Sequence, residues 1–351
     1  MDVLMVVSFG GPEGPDDVVP FLENVTRGRG IPRERLVEVG AHYTHFGGVS
    51  PINALNRDLV AAIRAELAAR ELDIPVIWGN RNWSPYLPEA FAEARELGAT
   101  RIFVFLTSAY SSYSGCRQYR ENLHDALDQV QGDLAGQRDS AWTPEVHKLR
   151  AYFNHPGFIA PFVDATRASL AKVPEGSRLV FTTHSIPTAD ADRCDYVAQH
   201  LDVATTVAEG VGQAANWDLV YQSRSGAPHV PWLEPDVGDH LAALREAGQP
   251  GAVMVPIGFV SDHMEVIWDL DTVAAEVARE VGLPIARAAT PGPDPRFAAM
   301  AVDLLLEARS GLADPDVARP VVGGLGPRVV PCAAGCCPNP RGPRPALCGS
   351  D

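Results

Sequence analysis

Three groups of residues in this sequence have types and spacings that can do chemistry. The first is Phe181-Thr182-Thr183-His184-Ser185-Ile186-Pro187. A β-branched run ends there in His-Ser-x-Pro, which places His184 at the carboxyl end of a strand. An imidazole in that place can take a proton near neutral pH or bind a divalent metal. Read alone, it is more commonly a structural histidine, with Ser185 capping a following helix. The second group is Asp262, Glu265 and Asp269, in the stretch from Val255 to Asp269. Their spacing of three and four expects three carboxylates on one helix face. Like charges in a row are unfavourable unless a cation sits among them or protons are shared. Asp262 alone reads as an ordinary N-terminal acid, but that reading leaves Glu265 and Asp269 on one stripe unexplained.

The third group is the cysteines. Four of the six, Cys332, Cys336, Cys337 and Cys348, fall in the last twenty residues. Clustered cysteines in a cytosolic chain point to metal binding or catalysis more than to disulfides. Cys332-Ala333-Ala334-Gly335-Cys336-Cys337 offers three thiolates in six residues. Structural zinc is the ordinary reading of a four-cysteine set, although an adjacent pair is unusual for tetrahedral zinc.

Such side chains need a scaffold to aim them. Short β-branched runs at Val3–Ser8, Val76–Asn80, Ile102–Leu106, Arg178–Thr183, Leu219–Ser223 and Ala252–Pro256 alternate with amphipathic stretches. Those stretches are Ala54–Arg70, Pro88–Leu97, Arg117–Val130, Phe158–Val173, Val237–Ala247 and Met264–Val281. Strand–helix alternation of this kind predicts an α/β fold with parallel sheets covered by helices. The pattern breaks at the polar stretch Gly132–Pro144. The expected organisation is therefore two doubly wound lobes facing a cleft, residues 1–140 and 141–320, with ligands beyond the carboxyl ends of the strands. Residues 321–351 are rich in Gly, Pro and Cys and read as an irregular tail. No repeat of fixed short period is visible.

The chain has 351 residues, 46% of them hydrophobic, which is ample for a core in two lobes. A net charge of −15 argues against nucleic-acid binding; an anionic substrate has to be met by local arginines. No apolar run is long enough to span a bilayer, and mean hydropathy is −0.04. Met1–Val7 has no basic region before its apolar stretch and reads as a first strand, so a cytoplasmic location is expected.

Taken together, His-Ser-x-Pro and, about eighty residues later, Gly258-Phe259-Val260-Ser261-Asp262-His263-Met264-Glu265-Val266 closely resemble the ferrochelatases. Phe9-Gly10-Gly11-Pro12, Phe46-Gly47-Gly48-Val49-Ser50-Pro51-Ile52, Tyr221-Gln222-Ser223-Arg224-Ser225-Gly226 and Pro231-Trp232-Leu233-Glu234-Pro235 agree. The resemblance spans roughly residues 3–310 and is closest to an actinobacterial branch with Arg-Gly-Arg near the N-terminus and a cysteine-rich C-terminus.

The resemblance implies two Rossmann-like, chelatase-type lobes around a porphyrin cleft, and insertion of ferrous iron into the porphyrin, with coproporphyrin III expected over protoporphyrin IX. It implies His184 and Glu265 as the catalytic pair that takes pyrrole protons and holds Fe2+, with Asp269 as an outer relay. Substrate contacts are implied at Phe9, Arg27, Arg29, His42, Tyr43, Ser50 and Tyr119. Two positions depart from some relatives: Phe9 replaces a tyrosine associated with the metal and cannot ligate iron, and His42 replaces an arginine. The resemblance further implies a [2Fe–2S] cluster on Cys332, Cys336, Cys337 and Cys116. Cys348 is a local alternative for the fourth ligand and Cys194 a weaker one. Transient contact with other haem-pathway enzymes is a further implication. Two other functions fit parts of the pattern: a cobalt or nickel chelatase of related fold, and a two-lobed haem- or metal-binding protein without catalysis.

Overall fold

A computed structural model describes residues 1–28, 30–133 and 142–350. The expected lobe boundary near 140 and Arg29 fall outside the described residues. Two four-stranded, all-parallel sheets organise the chain. The first contains β1 (Asp2–Ser8), β2 (Val76–Asn80), β3 (Arg101–Leu106) and β4 (Glu145–Lys148), in the order β2-β1-β3-β4. The second contains β5 (Arg178–His184), β6 (Trp217–Gln222), β7 (Ala252–Val255) and β8 (Ile285–Arg287), in the equivalent order β6-β5-β7-β8. The central strands are buried along nearly their whole length, as strands covered by helices on both faces must be. Continuous runs such as Val3-Leu4-Met5-Val6-Val7 supply that apolar surface.

The helices in chain order are α1 (Val18–Val25), α2 (Arg33–His45), α3 (Ile52–Ala69), α4 (Leu87–Glu96), α5 (Gln118–Gly132) and α6 (Pro156–Leu170). They continue as α7 (Thr188–Ala191), α8 (Tyr196–Gly210), α9 (Val237–Glu246), α10 (Met264–Val266), α11 (Ala275–Val281) and α12 (Pro295–Gly311). Between α10 and α11 the chain runs as a π-helix over Ile267–Ala274.

The two sheets share one core. Leu4, Val6, Phe103 and Phe105 of the first pack in the same cluster as Phe181, Val253 and Val255 of the second, with Phe297, Met300 and Leu304 of α12 between them. Polar bonds reinforce the junction. Tyr110 Oη donates to the Ile257 carbonyl at 2.7 Å, and Gln199 exchanges two hydrogen bonds with Ser111 at 2.8 and 2.9 Å. Arg70, just past the end of α3, pairs with Asp303 of α12 at 2.6 Å. The carboxyl ends of both sheets are thereby held in a fixed relation, and there the candidate residues collect. No helix among the described residues is long and apolar enough to cross a membrane.

The tail, without helix or strand among its described residues, lies along both lobes. Arg120 Nε donates to the Leu347 carbonyl at 2.6 Å, and the Leu347 amide donates to the Arg120 carbonyl. Asn339 Nδ2 reaches Glu121, and Arg344 pairs with Asp125. On the other lobe, the Gly324 amide donates to Asp202 at 2.6 Å.

Candidate active site

His184 ends β5 and Glu265 follows the loop leaving β7, so the two come from adjacent strand ends of one sheet. His184 Nε2 stands 3.8 Å from Glu265 Oε2. The other ring nitrogen, Nδ1, points at the Ser185 carbonyl. A carbonyl can only accept, so Nδ1 carries the proton and Nε2 keeps its lone pair toward the carboxylate in the neutral imidazole. Both side chains are partly open to solvent.

A glycine makes this approach possible. The Gly258 amide donates to the Thr182 carbonyl at 3.1 Å. A Cβ at Gly258 would stand 2.2 Å from Thr183 Oγ1 and 2.8 Å from Thr183 Cα. Only a residue without a side chain lets the loop carrying Glu265 lie against the strand carrying His184.

The expected three-carboxylate stripe is only partly formed. The helix begins at Met264, with His263 in the N-cap position. Asp262 lies before it and is held by Arg287, whose Nη1 and Nη2 each donate to one of its oxygens at 3.0 Å. Glu265 and Asp269 remain electrostatic neighbours across the start of the π-helix. Burial pushes the Asp269 carboxyl up to about 6; the hydrogen bond from Ser223 opposes this, and the charge on Glu265 adds to it. Asp269 also lies 3.5 Å from Gln222 Nε2. A second strand end, Gln222 of β6 and Ser223 just past it, thus supports the acid. His263, which sequence reasoning left unassigned, is a second imidazole beside the pair: burial lowers its pKa, with Glu265 and His184 among its electrostatic neighbours.

The opposite wall comes from the first lobe. Helices α1 and α2 pack together through Val18, Phe21, Leu22, Leu36 and Tyr43, and Met264 of the second lobe joins that cluster. His42 stacks on Trp268, with ring centroids 4.1 Å apart and planes within 9°. Tyr43 is buried, which pushes its hydroxyl pKa well up, and Glu265 adds to the rise. Ser50 is buried beside Gly11. Phe9, at the end of β1, is half-exposed and meets Phe21 edge-on. Arg27 is exposed, and no carboxylate among the described residues pairs with it.

Tyr119 sits in the core of the first lobe, with the Arg81 guanidinium 4.3 Å above its ring. The same guanidinium lies 5.7 Å from the Phe9 ring. Arg81 therefore stands between two expected contact positions, and sequence reasoning missed it. The available signal was its place just past the carboxyl end of β2, where ligands of doubly wound sheets bind.

The cysteines meet away from this pair. Cys116, Cys332 and Cys336 are free thiols that act on one another electrostatically, and Cys336 Sγ lies 3.7 Å from Cys337 Sγ. Hydrogen bonds from Cys116 and Cys336 pull the Cys332 thiol strongly toward thiolate. Cys348 points instead to the Val146 carbonyl, and Cys194 to the carbonyls of Asp190 and Ala191. Among the described residues, no group of three or more His, Cys, Asp or Glu is arranged to hold a metal ion. The donor set nevertheless suits an anionic metal–thiolate group. Lys148, one of the chain's two lysines, is 6% exposed, and no carboxylate among the described residues pairs with it. Its ammonium bonds the Leu149 carbonyl, and its electrostatic neighbours are the thiols of Cys116, Cys332 and Cys348. Arg328 Nη2 adds a donor 3.7 Å from Cys336 Sγ. A buried cation needs a counter-charge; Cys332, drawn toward thiolate, is the neighbour that supplies it, whereas the Cys332 contact and burial push the Cys116 thiol up and burial pushes Cys348 up.

Comparison with known proteins places the chain in a family. Over its full length the chain is 56% identical to a coproporphyrin III ferrochelatase of Streptomyces griseus, covering 96% of that protein. It is 52% identical to a coproporphyrin III ferrochelatase of Frankia alni over 97% of the chain and 87% of that protein. A ferrochelatase of Rhodopirellula baltica is 48% identical over 99% of the chain and 96% of its own length. Among solved structures, SirB from Bacillus subtilis with Fe3+ aligns with a TM-score of 0.53 at 10% identity, covering 90% of this chain and 98% of that one. CbiX, described as the terminal enzyme for biosynthesis of siroheme in denitrifying bacteria, aligns at 0.50 and 14% identity, covering 87% and 99%. These two likenesses concern the two-lobed fold. The family model for ferrochelatase matches residues 2–309, which takes in both sheets, both strand-end loops and the His184–Glu265 pair, and the chain belongs to the ferrochelatase family.

Proposed function

We propose that this chain inserts ferrous iron into coproporphyrin III, in the cytoplasm, as a step of haem formation. The observation that carries the reading is the His184–Glu265 pair, 3.8 Å apart at the strand ends, in a ferrochelatase chain whose relatives bear that substrate in their names. Metallation requires loss of two pyrrole protons and a passing site for Fe2+. With Nδ1 committed to the Ser185 carbonyl, His184 Nε2 supplies the lone pair that receives a proton or the metal, and Glu265 supplies the neighbouring anion. Asp269, with its pKa raised to about 6, suits the outer position that exchanges protons with solvent. The propionates are met from the first-lobe side by Arg27, Arg29, His42, Tyr43, Ser50 and Tyr119. Phe9 offers its ring face to the macrocycle and no ligand to iron.

The same proposal extends to the tail: Cys116, Cys332, Cys336 and Cys337 hold a [2Fe–2S] cluster, with Cys348 and Cys194 outside the ligand set. Such a cluster supplies one-electron redox chemistry and a covalent tie between tail and first lobe. The contacts among these four thiols and the buried Lys148 beside them support it.

Anaerobic incubation with ferrous iron and coproporphyrin III, followed by the absorbance of the metallated macrocycle, tests the activity. Absence of insertion by protein that binds the porphyrin would overturn it.

A further inference from the structure

The cysteine group and His184 are connected through one helix end. Arg328 of the tail reaches two partners, Cys336 Sγ at 3.7 Å and the carboxylate of Asp195. Asp195 precedes the first turn of α8, whose first residue is Tyr196. The Tyr196 hydroxyl donates to the backbone carbonyl of His184 at 2.9 Å and lies 2.7 Å from Thr183 Oγ1. One turn later His200 Nε2 lies 2.9 Å from the same Thr183 oxygen. The start of α8 is thus bonded to the last two residues of β5 on one side and to the cysteine tail on the other.

The stretch around Arg328 lies between tail segments already bonded to the lobes, Leu325 and Gly326 to Asn154 on one side and Asn339, Arg344 and Leu347 to Glu121, Asp125 and Arg120 on the other. Among its described residues the tail has no helix or strand, and Val329, next to Arg328, is 79% exposed. Chain ordering costs about 1–2 kcal/mol per residue in backbone entropy, so a segment that buries little apolar surface depends on its cross-links. Metal held at the cysteines would add a cross-link beside Arg328, whose Nη2 is 3.7 Å from Cys336 Sγ.

We propose that Arg328, Asp195 and Tyr196 are positioning residues that hold His184 toward Glu265 when the cysteine group is occupied, and release it when the group is empty. This rests on the reading that Cys116, Cys332, Cys336 and Cys337 hold metal; it does not depend on which metal. Filling the group orders Arg328, Arg328 fixes Asp195, and the first turn of α8 then clamps the carbonyl end of β5.

Amide hydrogen exchange over residues 183–200 tests the link. It is measured on protein as purified and after a chelator has removed the cysteine-bound metal, with kcat and KM for porphyrin followed in parallel. In wild type, stripping should speed exchange there. Arg328→Gln should speed it by about three- to fivefold with the metal still present, the effect of losing one partly exposed ion pair. Stripping that variant should then add little. Its kcat should fall by a similar factor with KM unchanged, and Arg328→Lys, which retains a cation for Asp195, should stay near wild type. Tyr196→Phe should lower kcat while metal content stays constant. Unchanged exchange in stripped wild type, or Arg328→Gln behaving as wild type, overturns the relay alone. Protein that purifies with no metal at its cysteines overturns both the relay and the cysteine reading.

Discussion

Gly258 lies directly against Thr183, the residue before His184, and this contact sets the separation between His184 and Glu265. A Cβ added there would come within 2.8 Å of the Thr183 backbone, which cannot rotate away as a side chain would. The strand bearing the imidazole and the loop bearing the carboxylate are packed backbone to backbone, and the 3.8 Å pair follows from that.

Gly258→Ala should therefore act on catalysis through geometry. The loop must shift by a substantial fraction of an ångström, which is expected to cost about 10- to 100-fold in kcat with porphyrin affinity little changed. Steady-state kinetics alongside porphyrin fluorescence titration checks it. A variant with near-normal kcat would show that the loop's approach is not what aligns the pair.

Replacing either member of the pair should remove the chemistry and leave the cleft. His184→Ala and Glu265→Gln are each expected to lower iron insertion by at least about 100-fold, the range for losing a positioned acid–base group. Porphyrin should still bind, because the α1–α2 wall does not depend on these side chains. Near-normal turnover in either variant would remove that residue from the mechanism.

Asp269 gives a pH signature. Its carboxyl is raised from the ordinary 3.8 to about 6 in the fold, mainly by burial. A raised folded pKa stabilises the protein fully below the unfolded value, and that stabilisation is lost as pH climbs through the folded one. Between pH 4 and 6 the wild type should thus lose about 1–2 kcal/mol relative to Asp269→Asn, allowing for partial solvent access. Urea unfolding of both proteins across this range measures it. Parallel curves would show that Asp269 titrates as an ordinary carboxylate.

For the tail, Ser substitution of Cys116, Cys332, Cys336 or Cys337 should abolish the reddish-brown absorbance and the protein-bound iron, whereas Cys194→Ser should keep both. Colourless protein with stoichiometric zinc would replace the iron–sulfur assignment with a zinc site. Colour surviving Cys116→Ser but lost in Cys348→Ser would transfer the fourth ligand to Cys348.

The sequence made some of this legible. Six of the eight strands were read from β-branched runs, because buried parallel strands are apolar on both faces. β4 and β8 were missed: Glu145-Val146-His147-Lys148 is a polar edge strand and Ile285-Ala286-Arg287 an edge strand of three residues, too short for such a run. The equivalence of the two sheet orders left no readable repeat, since it is a likeness of topology and not of residues. The 3.6-residue reading of Asp262, Glu265 and Asp269 failed at its first member, because Arg287, a β8 residue, holds Asp262 aside. The π-helix from Ile267 also breaks the assumed period. Arg81 and His263 escaped notice because their importance comes from neighbours distant in sequence.

The most direct measurement is the ratio of kcat/KM for coproporphyrin III and protoporphyrin IX, with ferrous iron under anaerobic conditions. Coproporphyrin carries four propionates and protoporphyrin two. The lip that would meet the additional pair ends in Arg27-Gly28-Arg29, with Arg27 exposed and free of any carboxylate among the described residues. Each charge-assisted contact is worth about 1.5–3 kcal/mol before solvent losses, so a preference of about tenfold or more for coproporphyrin III is expected. Equal or better turnover of protoporphyrin IX would contradict the assignment.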